Sequence, residues 1–224
     1  VSPATGLVSG TPTGAGVFAF TAEATDAALQ TASRGLQITV GAAQSIIKQE
    51  NALPGTPQAE WDVVGAGDPS IQGYATDISV NKGQTVDFKI DTNAAAYTIE
   101  VYRLGYYQGN GARLVATVTP SAALPQLQPP CLNDTETGLV DCGNWAVSAS
   151  WPVPVTAVSG IYVARLERTD TGGASHVVFI VRDDARNADI VFQTADTTWQ
   201  AYNEYGGNSL YVGSPNGRAR QARY

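Results

Sequence analysis

Between residues 70 and 182 the chain repeats one pattern, a short run alternating apolar and polar residues followed by a cluster of Gly, Pro, Asn, Asp or Ser. A period of two sends successive side chains to opposite faces of an extended strand, and closely spaced turns fold each strand back beside the last. The runs at 71–80, 85–90, 97–104, 113–118, 145–151, 160–168 and 176–182 predict strands, and this many short strands predict an Ig-like β-sandwich. Composition agrees: only 15% of the 224 residues are charged, with 23 Gly and 12 Pro, which favours strands and tight turns over solvated helices.

Residues 1–43 also read as turns and short strands, whereas 44–60 lack strand periodicity and carry Pro54 and Pro57, as a linker would. Beyond Asp183 the pattern changes. Ile190-Val191-Phe192, followed by a polar segment, predicts a buried strand opening an α/β layer. The expected organisation is therefore 1–43, part of an Ig-like repeat; 44–60, linker; 61–182, sandwich; and 183–224, the start of an α/β module. With no methionine in the chain, it is read as a stretch of a larger protein, cut before Val1 and after Tyr224.

A net charge of -7 argues against nucleic acid or anionic lipid as partner, since both are held by neutralising phosphates. Arg218, Arg220 and Arg223 form a small basic patch, read as a solvated terminal segment or an anion contact. No apolar run is long enough for a membrane-spanning helix, so no membrane insertion is expected. Cys131 and Cys142 flank a polar, turn-forming loop, and their pairing as a disulfide implies an extracellular or cell-surface location.

The chemistry-bearing residues are few. His176, the only histidine, lies in an apolar strand and reads as structural, which leaves no Ser-His-acid triad. Asp183, Asp184, Asp189 and Asp196 are candidates for Ca²⁺ at a module junction, or for a plain solvated hinge. Tyr102, Tyr106 and Tyr107, in a glycine-rich hairpin, and Trp199 are candidate surface-binding aromatics; the favoured plain reading is packing of the tyrosines against a neighbouring module and of Trp199 in a core.

Two resemblances add to this. Ser2-Pro3-Ala4-Thr5-Gly6-Leu7-Val8-Ser9-Gly10-Thr11-Pro12-Thr13 with Ala22-Glu23-Ala24-Thr25-Asp26 resembles the C-terminal half of a bacterial Ig (cadherin-like) repeat over about residues 1–41. Tyr102-Arg103-Leu104-Gly105-Tyr106-Tyr107, Ser159-Gly160-Ile161-Tyr162, Val181-Arg182-Asp183-Asp184 and Asp196-Thr197-Thr198-Trp199-Gln200-Ala201-Tyr202-Asn203-Glu204-Tyr205-Gly206-Gly207 resemble the N,N-dimethylformamidase large-subunit-like family over about residues 58–224. That resemblance implies hydrolysis of an amide C–N bond at one iron held by two tyrosines and a glutamate. By the same resemblance Tyr202 and Tyr162 are the candidate metal ligands, with the glutamate beyond Tyr224. No cofactor is expected in this stretch alone, and iron is expected in the full-length parent.

Two functions follow. In the first, the chain is a cell-surface structural segment that self-associates through unpaired strands in residues 1–43 or packs on neighbouring modules of its own protein. In the alternative, it is the accessory sandwich and partial catalytic module of a secreted iron-dependent amide hydrolase.

Overall fold

A computed structural model describes residues 10–41, 45–188 and 190–213, and the chain divides into two compact units, residues 1–49 and 50–224. The arginines at 218, 220 and 223, Asp189 and residues 2–9 of the repeat-like motif lie outside the described residues.

In the first unit, β1 (Gly16–Thr25) and β2 (Thr31–Val40) form an antiparallel hairpin with Phe18 opposite Ile38 and Phe20 opposite Leu36. Period-two alternation places these four side chains on one face, all of them solvent-exposed. The loop closes through Asp26, whose Oδ1 accepts the backbone N–H groups of Ala28 and Gln30.

α1 (Ile46–Asn51) straddles the division between units, and α2 (Gln58–Trp61) follows it. Residues 50–60, expected as linker, instead pack on the second unit. Thr56 N–H donates to Ala112 O at 2.8 Å, and Trp61 Nε1 donates to Asn110 O at 3.0 Å. Buried Glu50 and the Trp61 indole find partners there, so burial holds a segment that periodicity leaves undefined.

The second unit is a β-sandwich. Its strands are β3 (Ile71–Ala75), β4 (Ser79–Asn81), β5 (Thr85–Thr92), β6 (Tyr97–Leu104), β7 (Ala112–Val118), β8 (Leu132–Asp134), β9 (Leu139–Asp141), β10 (Ala149–Pro152), β11 (Gly160–Arg168) and β12 (Ala174–Arg182). One sheet runs β10-β5-β3 and the other β4-β12-β11-β6-β7, while β8 and β9 form a separate hairpin. All these pairings are antiparallel except β4 with β12. Thus the chain pairs with one sheet as β3 and, a few residues later, with the other as β4. Such sheet switching belongs to Ig-like sandwiches with strands shared between their sheets.

The core follows from alternation. Val86, Phe88, Ile90 and Thr92 of β5 face Ser175, Val177, Phe179 and Val181 of β12, and every one of these residues is buried. The Phe88 and Phe179 rings meet edge-on at 5.7 Å, and Trp151 and Tyr162 close the aromatic cluster against Phe179. Each large apolar side chain removed from water here stabilises by roughly 1.5–3 kcal/mol.

Beyond β12 come α3 (Asp196–Tyr202) and a 3₁₀ turn, Tyr205–Gly207. The buried strand expected at Ile190-Val191-Phe192 is not present. These residues are 86%, 85% and 78% exposed and outside any strand, because among the described residues no parallel neighbour covers them.

Candidate functional site

Cys131 and Cys142 form a disulfide, with Cα atoms 4.4 Å apart, that closes the β8–β9 hairpin. The hairpin lies by the outer face of the β10-β5-β3 sheet, where the Tyr74 hydroxyl donates to Cys142 O at 2.7 Å and Lys89 Nζ donates to Gly143 O at 2.8 Å. Trp145, three residues past the disulfide, packs against Tyr74 with centroids 5.9 Å apart and donates from Nε1 to Pro129 O.

The 196–207 motif docks on this platform. Tyr205 meets Trp145 edge-on at 5.9 Å, and Asn208 Nδ2 donates to Gly138 O at 2.9 Å. Gly206 has φ 81°, and a Cβ there would stand 2.6 Å from Val140 Cγ1, so both the turn and the close approach require glycine. Burial and the nearby Asp91 carboxylate raise the Tyr205 pKa; burial and Asp141 do the same for Tyr74.

Between hairpin, docked motif and sandwich lies a cleft of about 340 Å³. Its walls come from β3 (Gln72, Tyr74), β12 (His176, Val178) and the motif (Asn203, Tyr205). Among the described residues Asp141 is the only carboxylate lining it, and no Lys or Arg does. The cleft suits a neutral ligand that combines apolar surface with hydrogen-bonding groups. His176 Nε2 stands 2.6 Å from Trp61 O, a contact that ties the strand to α2. Sequence periodicity singled out neither Trp145 nor Tyr74; the available signal was a tryptophan shortly after a disulfide.

The tyrosine-rich hairpin has another role. Tyr102 and Tyr107, proposed as surface-binding aromatics, are only 2% and 0% exposed, because each hydroxyl finds an internal partner. Tyr102 donates to Glu100 Oε2 at 2.7 Å, while Tyr107 donates to Glu50 Oε1 at 2.8 Å and accepts from Arg103 Nη1 at 2.9 Å. Arg113 adds Nε and Nη2 to the same Glu50 oxygen, at 2.9 and 2.5 Å. Arg103, itself buried, also donates to Val158 O and Ser159 O, so this network joins the end of α1, the β6–β7 turn and the β10–β11 loop. Tyr107 and Gln108 have φ of 38° and 60°, left-handed values that such a network holds in place. Tyr106 and Trp199 remain solvent-exposed.

The two tyrosines assigned to iron are placed differently. Tyr162 is 1% exposed near the start of β11, and its hydroxyl donates to Val158 O, four residues upstream, at 2.7 Å. This is the tyrosine corner of Ig-like sandwiches. The buried hydroxyl is committed to the Val158 backbone oxygen, so Tyr162 does not present an accessible phenol to a metal, and burial raises its pKa. Tyr202 is 62% exposed on α3 and stacks on Tyr211 at 4.6 Å. Of the pair, only Tyr202 has an accessible phenol, and the described residues do not assemble an iron site.

The described acidic candidates for Ca²⁺, Asp183, Asp184 and Asp196, already carry partners. Asp183 Oδ2 accepts from Lys82 Nζ at 2.6 Å, Asp184 accepts from Arg182, and Asp196 is bonded by Thr194 Oγ1. Asp183 and Asp184 are balanced by cationic side chains, and Asp196 is engaged by a neighbouring hydroxyl. Among the described residues no group of three His, Cys, Asp or Glu side chains is arranged to hold a metal.

Comparison with known proteins agrees with the later motifs. Residues 98–224 match the sequence model described as "N,N-dimethylformamidase beta subunit-like, C-terminal". No curated protein matches the chain. Among solved structures, domain 1 of VCBP3 from Branchiostoma floridae is similar over 54% of this chain and 100% of its own, at 10% identity and a TM-score of 0.31, a likeness too slight to add to the fold described above. The family match spans more than half of the chain, from β6 through the docked motif, and the chain therefore belongs to the N,N-dimethylformamidase beta subunit-like family, in its C-terminal region.

Proposed function

We propose that this chain provides the accessory sandwich of an amide C–N hydrolase and that the residues after β12 open its catalytic module. The observation that carries this reading is the docking of the 196–207 motif: Tyr205 on Trp145, Gly206 on Val140 and Asn208 on Gly138 O hold a family motif against a disulfide-closed hairpin. A sandwich in this position fixes the direction in which the motif leaves β12, and so where the exposed Tyr202 phenol is presented. Iron, when bound by the parent enzyme, would act as a Lewis acid on the amide carbonyl and acidify a bound water. The disulfide favours a secreted or surface location, since such bonds persist in oxidising compartments.

The test uses the natural full-length protein and its Tyr202→Phe variant. Iron content by mass spectrometry and amine release from small N-alkyl amides are the readouts. Iron in the active protein, lost together with activity in the variant, is expected. Active protein that holds no transition metal would overturn the reading.

A second reading applies to the first unit. Phe18, Phe20, Leu36 and Ile38 share one exposed face of a two-stranded hairpin whose outer edges pair with no further strand among the described residues. We infer that this hairpin mediates self-association, since two strands with an uncovered apolar face are marginal in water. Sedimentation equilibrium over a wide concentration range checks it. A monomer throughout, unchanged by Phe18→Ser, would sink the idea.

A further inference from the structure

The cleft lies between two sheet edges that never pair with one another. β3 is the last strand of its sheet, and β12 meets β4 only at residues 180–182. Alternation decides which backbone groups face outward. Thr76 N–H donates to Asp87 O at 2.9 Å, so the backbones of Gln72 and Tyr74 turn toward β5 and those of Gly73 and Ala75 turn away. On β12, Ile180 N–H donates to Ile78 O and Ala174 O accepts from Asp68 N–H, both at 2.9 Å. The backbones of His176 and Val178, lying between those two positions, face the same open side. The chain leaves one sheet at β3 and joins the other at β4, and the wedge behind this switch is the cleft.

We propose that the cleft takes an extended, uncharged peptide, which adds a strand to the β12 edge at His176 and Val178 and lays its side chains against Tyr74 and Tyr205. Outward backbone groups two residues apart match the repeat of another main chain, the basis of strand addition to an open edge. Gln72 and Asn203 on the lining suit amide groups, and the aromatic rings suit apolar side chains. Among the described lining residues a charged ligand finds no Lys or Arg and only one carboxylate, Asp141. The cleft volume of about 340 Å³ suits a few residues of peptide rather than a folded domain. This inference is independent of the hydrolase reading and stands or falls without it.

The experiment titrates the whole chain with a capped hexapeptide alternating threonine and valine, followed by calorimetry and by the backbone amide resonances of the protein. Two control ligands are the same peptide with a central proline and a neutral oligosaccharide, maltohexaose. Saturable binding that shifts the His176 and Val178 amides and is abolished by the proline is expected. Val178→Pro removes an outward N–H without taking a bond from the β11 ladder, and Tyr205→Ala opens the roof; each weakens binding about tenfold or more. The proposal is overturned if the proline peptide binds equally well, if the oligosaccharide binds and the peptide does not, if the shifts fall elsewhere, or if both variants bind like the parent.

Discussion

The Tyr107 hydroxyl donates to Glu50 Oε1 across 2.8 Å and accepts from Arg103 Nη1 across 2.9 Å, placing a neutral phenol between a carboxylate and a guanidinium inside the protein. Glu50 is therefore the acceptor on which two donors, Tyr107 and Arg113, converge. Glu50→Gln retains the shape and removes the charge, leaving Arg103 and Arg113 short of compensation. A loss of about 2–3 kcal/mol is expected, below the range for a fully buried pair because Arg113 is partly exposed. Urea unfolding followed by tryptophan fluorescence checks it, as a lower midpoint at unchanged slope.

Tyr97 is buried against the core, yet its hydroxyl finds no hydrogen-bond partner among the described residues. Burial pushes its pKa up to about 12. Tyr97→Phe removes an unsatisfied polar group from the core and should raise stability by about 1 kcal/mol. Because the folded pKa lies above the unfolded value of about 10, the buried phenol is neutral and its contribution complete below pH 10, then falls as pH rises toward 12. The variant should lose less stability than the parent between pH 10 and 12 in a thermal melting series.

The disulfide closes a hairpin that supports Tyr74 from below and Gly206 from above. Replacing Cys131 and Cys142 together by serine should cost roughly 2–3 kcal/mol in the chain-entropy account of a loop this short. It should also free Tyr205 from Trp145. Calorimetry reads the first effect, and increased proteolytic cleavage within residues 196–210 reads the second.

At low pH, Arg168 holds the Asp170 carboxyl down to about 2, and hydrogen bonds from Ser70 lower that of Asp68. Depressed folded values mean that the stabilisation is complete above the unfolded carboxylate range near pH 4 and disappears as pH falls toward 2. Asp170→Asn should therefore flatten the pH 4 to 2 limb of the stability curve while leaving its slope between pH 6 and 8 unchanged. Equal acid sensitivity in parent and variant would show that other carboxylates govern that limb.

Much of the sandwich was legible because alternation is a local property. The strands at β5, β6, β11 and β12 lie close to the runs that predict them, since buried Val, Ile and Phe at every second position leave little choice of face. Ile190-Val191-Phe192 misled for the same reason: an apolar run records what a strand would bury, not whether a neighbour is present to cover it. The site was less legible. Tyr162 carries a family motif, but whether its phenol meets a metal or Val158 O depends on a chain reversal that no spacing encodes.

The sequence alone determined a mainly β chain, the Cys131–Cys142 pairing and the family, because periodicity, loop composition and ordered motifs are written along the backbone. Tertiary structure decided that Tyr102 and Tyr107 are internal, that residues 50–60 belong to the sandwich, and that β3, β12 and Tyr205 enclose a cleft. Each of these depends on residues distant in sequence meeting at a few ångströms. Such meetings follow from the whole set of strand pairings and sheet edges, so no local pattern announces them.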